Sequence, residues 1–455
     1  MKKSICLLLA LAMALALCGC AESLQQIEIP PLPQVTPTPA PASAAPATET
    51  PAPVVEIPER PQPTGEGTEP SAAPIEINTP KEESSRILVN IGRTQIQDFD
   101  PAEGEELILD FSYDMPRVLF EQKPEVAEKI NEVLATVEET FYTGQDYGLR
   151  LQFIGYNGML EAAEDNFSWV REYQVEGQSL ELSDCLSAKV TRLDDNMLSI
   201  LYSDVNYTGG AHGSYGSFGY TFDMSTGELL SLEKLSSDPA GLSEYLVQTM
   251  LEMAEADPES FPVEDSFLPA GGREEAFRNL LREGAWYFDR EGLVIFSTLY
   301  ELAPYAAGIT EFPIPYEKLA GKIDGRYLFP VERSGNGRVL VNELSALDGG
   351  SLEIVDKITA HEDGAQLCLT AEGLIYDVSI SRVYYVDRFY ENEQLWCASS
   401  LQDCAVQLQA VVPDGLPNLL ITYYTGDGVR HGKLLSQSGQ DGSFMLVDDD
   451  IQAVG

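Results

Sequence analysis

Basic residues are scarce in this chain of 455 residues: 28 Lys+Arg stand against 73 Asp+Glu, a formal net charge of −45. So one-sided a balance repels polyanions, which excludes DNA, RNA and an anionic membrane surface as partners and favours basic ones. Histidine is scarcer still. His212, His361 and His431 are the only three, and with no HExxH and no paired CxxC no zinc site is expected. Cysteine is also sparse. Beyond the N-terminus only Cys185, Cys368, Cys397 and Cys404 remain, too few to scaffold a chain of this size. They permit two disulfides in three pairings, with Cys397 and Cys404 close enough for a local loop, or four buried thiols. Neither Asp448-Asp449-Asp450 nor Gly439-Gln440-Asp441-Gly442 fits a twelve-residue calcium loop. Gly209-Gly210-Ala211 is followed by no Lys-Ser/Thr and is flanked by no βαβ unit, so a nucleotide is not expected either. No metal and no cofactor is therefore expected. Past residue 20 there is no apolar run long enough to span a bilayer.

The N-terminus has the pattern of an export signal. Lys2 and Lys3 precede an apolar run from Ile5 to Leu17, and Leu17-Cys18-Gly19-Cys20 resembles a bacterial lipobox. Gly19 is the small residue required before a modified cysteine, so Cys20 is the expected lipidation site, anchoring the protein to the extracytoplasmic face of the cell membrane by acyl chains alone. Residues 21–85 are rich in Pro, Ala, Thr and Glu, with little to bury. They read as a disordered, polyproline-like tether that spans roughly 200 Å at full extension.

Order is expected from Arg86. Arg86 to Ile91 and Glu106 to Tyr113 read as strands, and Pro124 opens a helix whose Val126, Ile130, Val133, Leu134, Val137 and Phe141 recur at helical spacing. Leu149 to Phe153, Phe167 to Val175, Ala188 to Leu193 and Leu198 to Tyr207 read as further strands. Asp238-Pro239 caps another helix, and a shorter one carries Phe277, Leu280 and Leu281. Trp286-Tyr287-Phe288, a turn at Asp289 to Gly292 and Leu293 to Tyr300 read as a hairpin. From about Arg326 short β-branched and aromatic segments follow one another: Arg338 to Val341, Leu352 to Ile358, Gln366 to Thr370, Val378 to Val386, Val406 to Val412 and Leu419 to Tyr424. The fold class is thus α+β, with mixed or antiparallel sheets and a few packed helices over 86–325 (halves 86–180 and 181–325), then a β-rich accessory domain over 326–455.

The densest local signal is Tyr207-Thr208-Gly209-Gly210-Ala211-His212-Gly213, running into a strand from Tyr215 to Asp223 and a turn at Ser225-Thr226-Gly227. Three glycines around one histidine describe a loop shaped by its backbone. This heptad resembles the signature of a family of extracytoplasmic domains, best known as the sensor region of anti-sigma factors of the RsiV type. Tyr113-Asp114-Met115-Pro116 before the helix with Ile130-Asn131 is similar to the companion N-terminal half. Thr226-Gly227 with Leu232 to Leu235, Trp286 to Phe296, Tyr300 to Gly308 and Phe312 to Tyr316 are similar to the C-terminal half. The resemblance covers about 86–325. It implies noncatalytic binding or sensing at the cell surface, also found beside peptidoglycan-modifying enzymes, with lysozyme a known partner in the anti-sigma branch. An anti-sigma factor needs a membrane helix and a cytoplasmic segment; this sequence shows no such helix, so direct control of a sigma factor is not expected.

Tyr207, Gly209, Gly210, His212 and Gly213 are accordingly the candidate ligand-binding residues, and lysozyme, another basic protein or peptidoglycan the expected partners. His212 beside Ser214 in a glycine-rich backbone is also the composition of a base with an oxyanion hole, which leaves an envelope hydrolase as the alternative. Ser214 lies in no nucleophile elbow, however, and catalysis is not expected. A spacer in an envelope assembly is the third reading. Trp286-Tyr287-Phe288 and Tyr384-Tyr385 read as strand core or as a flat contact surface.

Overall fold

The structure, a computed structural model, describes residues 86–448 apart from 101–103, 105, 174–178, 331–332, 345–351, 387–388, 412–417 and 439–440, with backbone only at 385, 386 and 389–391. The segments expected as export signal and tether (1–20, with Cys20, and 21–85), Gly439-Gln440 and Asp449-Asp450 lie outside the described residues.

β1 (Leu88–Phe99) and β2 (Leu107–Leu119) form an antiparallel pair. α1 (Pro124–Thr143) starts on Pro124, where the missing N–H is one the helix would leave unbonded anyway, and stops at Gly144 in the left-handed region. Its Val126, Ile130, Leu134, Val137 and Phe141 are buried, and Phe141 stacks on Phe111 of β2 with ring centroids 4.8 Å apart. β3 (Leu182–Leu193) joins β2 in parallel, and β4 (Met197–Tyr207) and β5 (Ser214–Asp223) continue antiparallel. A parallel neighbour requires a crossover, and α1 with α2 (Tyr156–Tyr173) supplies it.

The crossover is also where the sequence reading fails. Phe167 to Val175 was expected as a strand, yet residues up to Tyr173 belong to α2. Met159, Ala163, Phe167 and Val170 are buried at helical spacing, a stripe that shows only when the window opens well upstream of the aromatic cluster. Leu149 to Phe153 is not a strand either: Leu149, Leu151 and Phe153 pack against the core, but the segment has no ladder partner.

After β5 come α3 (Pro239–Ala256), α4 (Gly272–Leu280), the three-stranded antiparallel sheet β6 (Trp286–Phe288), β7 (Gly292–Phe296) and β8 (Glu311–Pro315), and the single turn α5 (Tyr316–Leu319). Asp238 caps α3 by accepting the Gly241 N–H at 3.0 Å. Trp286, Tyr287 and Phe288 are buried, which makes this triplet core; Tyr384 is exposed.

The remaining strands are β9 (Arg338–Glu343), β10 (Glu353–Thr359), β11 (Ala365–Val386), β12 (Phe389–Ala410), β13 (Leu419–Tyr424), β14 (Arg430–Gln437) and β15 (Phe444–Asp448). Gln366 to Thr370 and Val378 to Val386, read as two strands, are one: irregularities at Ala371/Leu374 and Tyr376/Ser379 interrupt its alternation without ending it. The long β11–β12 hairpin serves two sets of neighbours, β9 and β10 toward one end, β13 and β1 toward the other. Through the pairing of Leu88–Asn90 with Trp396–Ala398, the strands of 338–448 share one sheet with those of 88–223, in the order β15-β14-β13-β11-β12-β1-β2-β3-β4-β5.

The apolar side chains collect in three main cores. One lies between α1, α2 and β1–β5, a second among α3, α4 and β6–β8, and a third within 338–448 together with Leu88. Arg93 ties the first sheet segment to β12, bonding Asp114 at 2.9 Å and Glu393 at 3.0 Å. The four described cysteines are unpaired, and three of them, Cys368, Cys397 and Cys404, are buried. No described helix is long and apolar enough to cross a membrane.

Candidate functional site

β4 ends at Tyr207 and β5 begins at Ser214, so the signature heptad is the turn between two paired strands. Gly209 and Gly210 have φ of 95° and 98°, a region that side-chain-bearing residues rarely enter. Gly213 is required for a different reason: a Cβ there would stand 2.6 Å from the Asn206 carbonyl oxygen. The Tyr207 hydroxyl donates to the Gly210 carbonyl at 3.0 Å and braces the turn from inside.

His212 is exposed at the tip. Its Nδ1 lies 2.8 Å from the carbonyl oxygen of Gly213, and its ring stacks on Tyr305 with centroids 4.3 Å apart. Tyr305 donates its hydroxyl to the same Gly213 carbonyl at 3.0 Å, and Tyr215 and Tyr300 each lie 5.9 Å from its ring. The five residues singled out from the sequence are therefore brought together on the surface, next to aromatic groups that arrive from almost a hundred residues downstream. Tyr300 is 53% exposed and has φ of 62°, an unfavourable backbone state for an aromatic residue and one that recurs at functional positions. Beside the cluster, Tyr215, Phe261, Ile309, Glu311 and Pro313 line an open depression of about 630 Å³.

Residues 237–317, which include Tyr300 and Tyr305, match the family model described as "Protein of unknown function (DUF3298)". This stretch is similar to the DUF3298 family. The match falls inside the 181–325 stretch that the sequence resemblance marks as a C-terminal half, and it begins 24 residues after Gly213, so the heptad lies outside the matched stretch and packs onto it. Two solved structures of DUF3298 proteins are similar to the chain. One from Bacteroides fragilis is 16% identical with a TM-score of 0.36, covering 51% of this chain and 92% of its own. The other, from Pseudomonas aeruginosa, is 19% identical with a TM-score of 0.32, covering 53% and 97%. No curated protein matches the chain. Among the described residues no group of three or more His, Cys, Asp or Glu is arranged to hold a metal.

Sequence reasoning missed the aromatic partners of His212, because nothing in the spacing of Tyr300 and Tyr305 distinguishes them from core tyrosines. It also missed a carboxyl pair on the strands that carry the loop. Asp184 of β3 and Asp204 of β4 are close neighbours on adjacent strands, and Oδ1 of each is buried without a hydrogen-bond partner among the described residues. Burial first, then the neighbouring carboxylate, pushes Asp184 up to about 8, so the pair retains a proton at neutral pH. Its folded pKa lies above the unfolded value near 4, hence its contribution to stability is complete below pH ~4 and is lost as pH rises toward about 8. Asp184→Asn is expected to remove that slope. Thermal melts should show the variant gaining on the wild type by about 2 °C or more at pH 8.5, with the gap narrowing toward pH 5. An identical pH profile for the two proteins would show that the pair is not coupled to folding.

Proposed function

We propose that the chain is an extracytoplasmic binding or sensing lipoprotein, anchored through Cys20, that recognises a cell-wall or extracellular component, with lysozyme or another basic protein as the first candidate. The observation that carries this reading is the aromatic face beside the β4–β5 turn, where exposed His212 and Tyr300 flank the half-buried Tyr305. Flat rings held by a rigid scaffold supply contact area at little entropic cost, and such groups dominate protein recognition. The net charge of −45 adds long-range attraction for a basic partner. The RsiV-type resemblance of the heptad and of 86–325 agrees with it.

The test is capture of lysozyme by the immobilised full chain. Saturable binding is expected, weakened at least tenfold by Tyr300→Ala and by His212→Ala, with melting temperatures unchanged because both side chains stand on the surface. Wall fragments run in parallel identify a glycan ligand. Capture unaffected by either substitution removes the site, and turnover of wall fragments abolished by His212→Ala replaces binding by the hydrolase reading.

A further inference from the structure

A second site lies away from the loop, in a cavity of about 280 Å³ between β3 of the first sheet segment and strands β11 to β13. Its composition runs against the rest of the molecule. In a chain with more than twice as many acidic as basic residues, the lining carries four cations, Lys189, Arg192, Arg290 and Arg430, and a single carboxylate, Asp377.

These charges divide into a fixed floor and an open mouth. Arg192 is fully committed: it bonds Asp194, the Tyr316 hydroxyl and the carbonyls of Tyr327 and Leu328. Arg290 is held between the rings of Phe329 and Tyr424, 4.8 and 3.7 Å from their centroids, and shares Asp377 with Arg333. Two guanidinium groups on one carboxylate leave an excess of positive charge. Asp377 occupies its position at φ of 48°, in the irregularity of β11 between Tyr376 and Ser379, so the chain maintains a strained backbone in order to place it. Arg430, paired through its backbone with Tyr424, stands exposed at the mouth, and its guanidinium has no hydrogen-bond or ion-pair partner among the described residues. Between floor and mouth the wall is mixed: Gln394 accepts the Val190 N–H at 2.7 Å and donates to the Ser379 hydroxyl at 3.0 Å, Ser381, Thr422 and Asn392 add polar groups, and Val190, Val378, Ala398 and Leu420 lie between them.

From this juxtaposition we infer that the cavity binds a small hydroxylated carboxylate, about one sugar ring in size, its carboxylate on Arg290 and Arg430 and its hydroxyls on the Ser, Thr, Asn and Gln wall. A guanidinium fork matches a planar carboxylate with two parallel hydrogen bonds, which a tetrahedral inorganic anion uses less selectively. The hydroxyl and amide groups match the hydroxyls of a sugar, and the aliphatic stretches between them match the C–H face of its ring. The site is independent of the His212 loop, and either can fail without the other.

Calorimetric titration of the full chain with D-glucuronate, D-galacturonate, D-glucose and sodium phosphate tests it. One of the two uronates is expected to bind saturably at one site, glucose to give no heat, and phosphate to bind at least tenfold more weakly. Arg430→Gln should weaken the uronate at least fivefold without moving the melting temperature, and Arg430→Lys should retain most of the affinity. If the glutamine variant melts early, Lys189→Gln, also at the rim, is read in its place. No saturable uronate binding, phosphate binding as tight as uronate, or uronate binding indifferent to the loss of rim charge each overturns the assignment.

Discussion

Arg192→Met is expected to destabilise the folded chain by about 3–5 kcal/mol. Arg192 is a strand residue whose side chain is entirely shielded from water. Its Nε bonds Asp194 at 2.7 Å, while Nη1 reaches the Tyr316 hydroxyl at 2.8 Å and the Tyr327 carbonyl at 2.6 Å. One guanidinium thereby fastens the end of β3 to α5 and to the segment that follows it. Removing it strands the buried Asp194 carboxylate and leaves a buried carbonyl unsatisfied, and it is this desolvation, rather than the lost ion pair itself, that sets the size of the effect. Arg192→Lys should recover little of the loss, since one ammonium cannot span so many acceptors. Adding Asp194→Asn to the Met variant should return part of the stability: Asn keeps the oxygen that accepts the Asn196 and Met197 N–H groups and removes the unpaired charge. Urea midpoints at constant m-value measure all four proteins. A loss below 1 kcal/mol in Arg192→Met, or no recovery in the double variant, would contradict this account.

The second large effect is expected at Gly219, where Ala should cost about 3 kcal/mol. β5 is the strand against which the small sheet rests: the Gly219 N–H donates to the Gly284 carbonyl at 2.8 Å, and a Cβ at this position would lie 2.1 Å from the carbonyl oxygen of Trp286. The obstacle is backbone on both sides, so no rotamer change relieves it. The strand contains its own control. Gly216, three residues earlier, has no atom within 4 Å of where its Cβ would be, and Gly216→Ala should stay within about 0.5 kcal/mol of wild type. Equal behaviour of the two variants in chemical unfolding would show that the approach of β6 to β5 is looser than the structure has it.

Much of the fold was legible from local pattern. The Pro124 helix, the Asp238-Pro239 cap, the hairpin from Trp286, whose second strand was expected to Tyr300 and ends at Phe296, and the strands on either side of the heptad all rest on short-range rules, an N-terminal proline, a capping carboxylate, alternation across a pleat, that act within a few residues of the position they govern. α2 escaped because its aromatic residues imitate a strand when read in a short window. β11 was cut in two because an irregularity shifts the apolar register by a residue and looks like a turn. At the candidate site the same division holds. The glycines announced a backbone-determined turn, and their positive φ angles and the approach of Gly213 to Asn206 give the reason. That Tyr300 and Tyr305 meet His212 was not readable, since spacing carries no information about which distant side chain will lie beside a loop.

The sequence by itself determined the charge of the chain, most of the local elements and the turn that presents His212. These follow from composition and from interactions within a turn or two of chain. Only the tertiary structure decided that strands of 338–448 extend the sheet of 88–223, that Arg192 and Gly219 are contact points between distant segments, and that scarce cations of an acidic protein converge on one cavity. Such pairings depend on where hydrogen-bonding edges and buried charges find partners hundreds of residues away, and each partner alone has no distinctive local pattern.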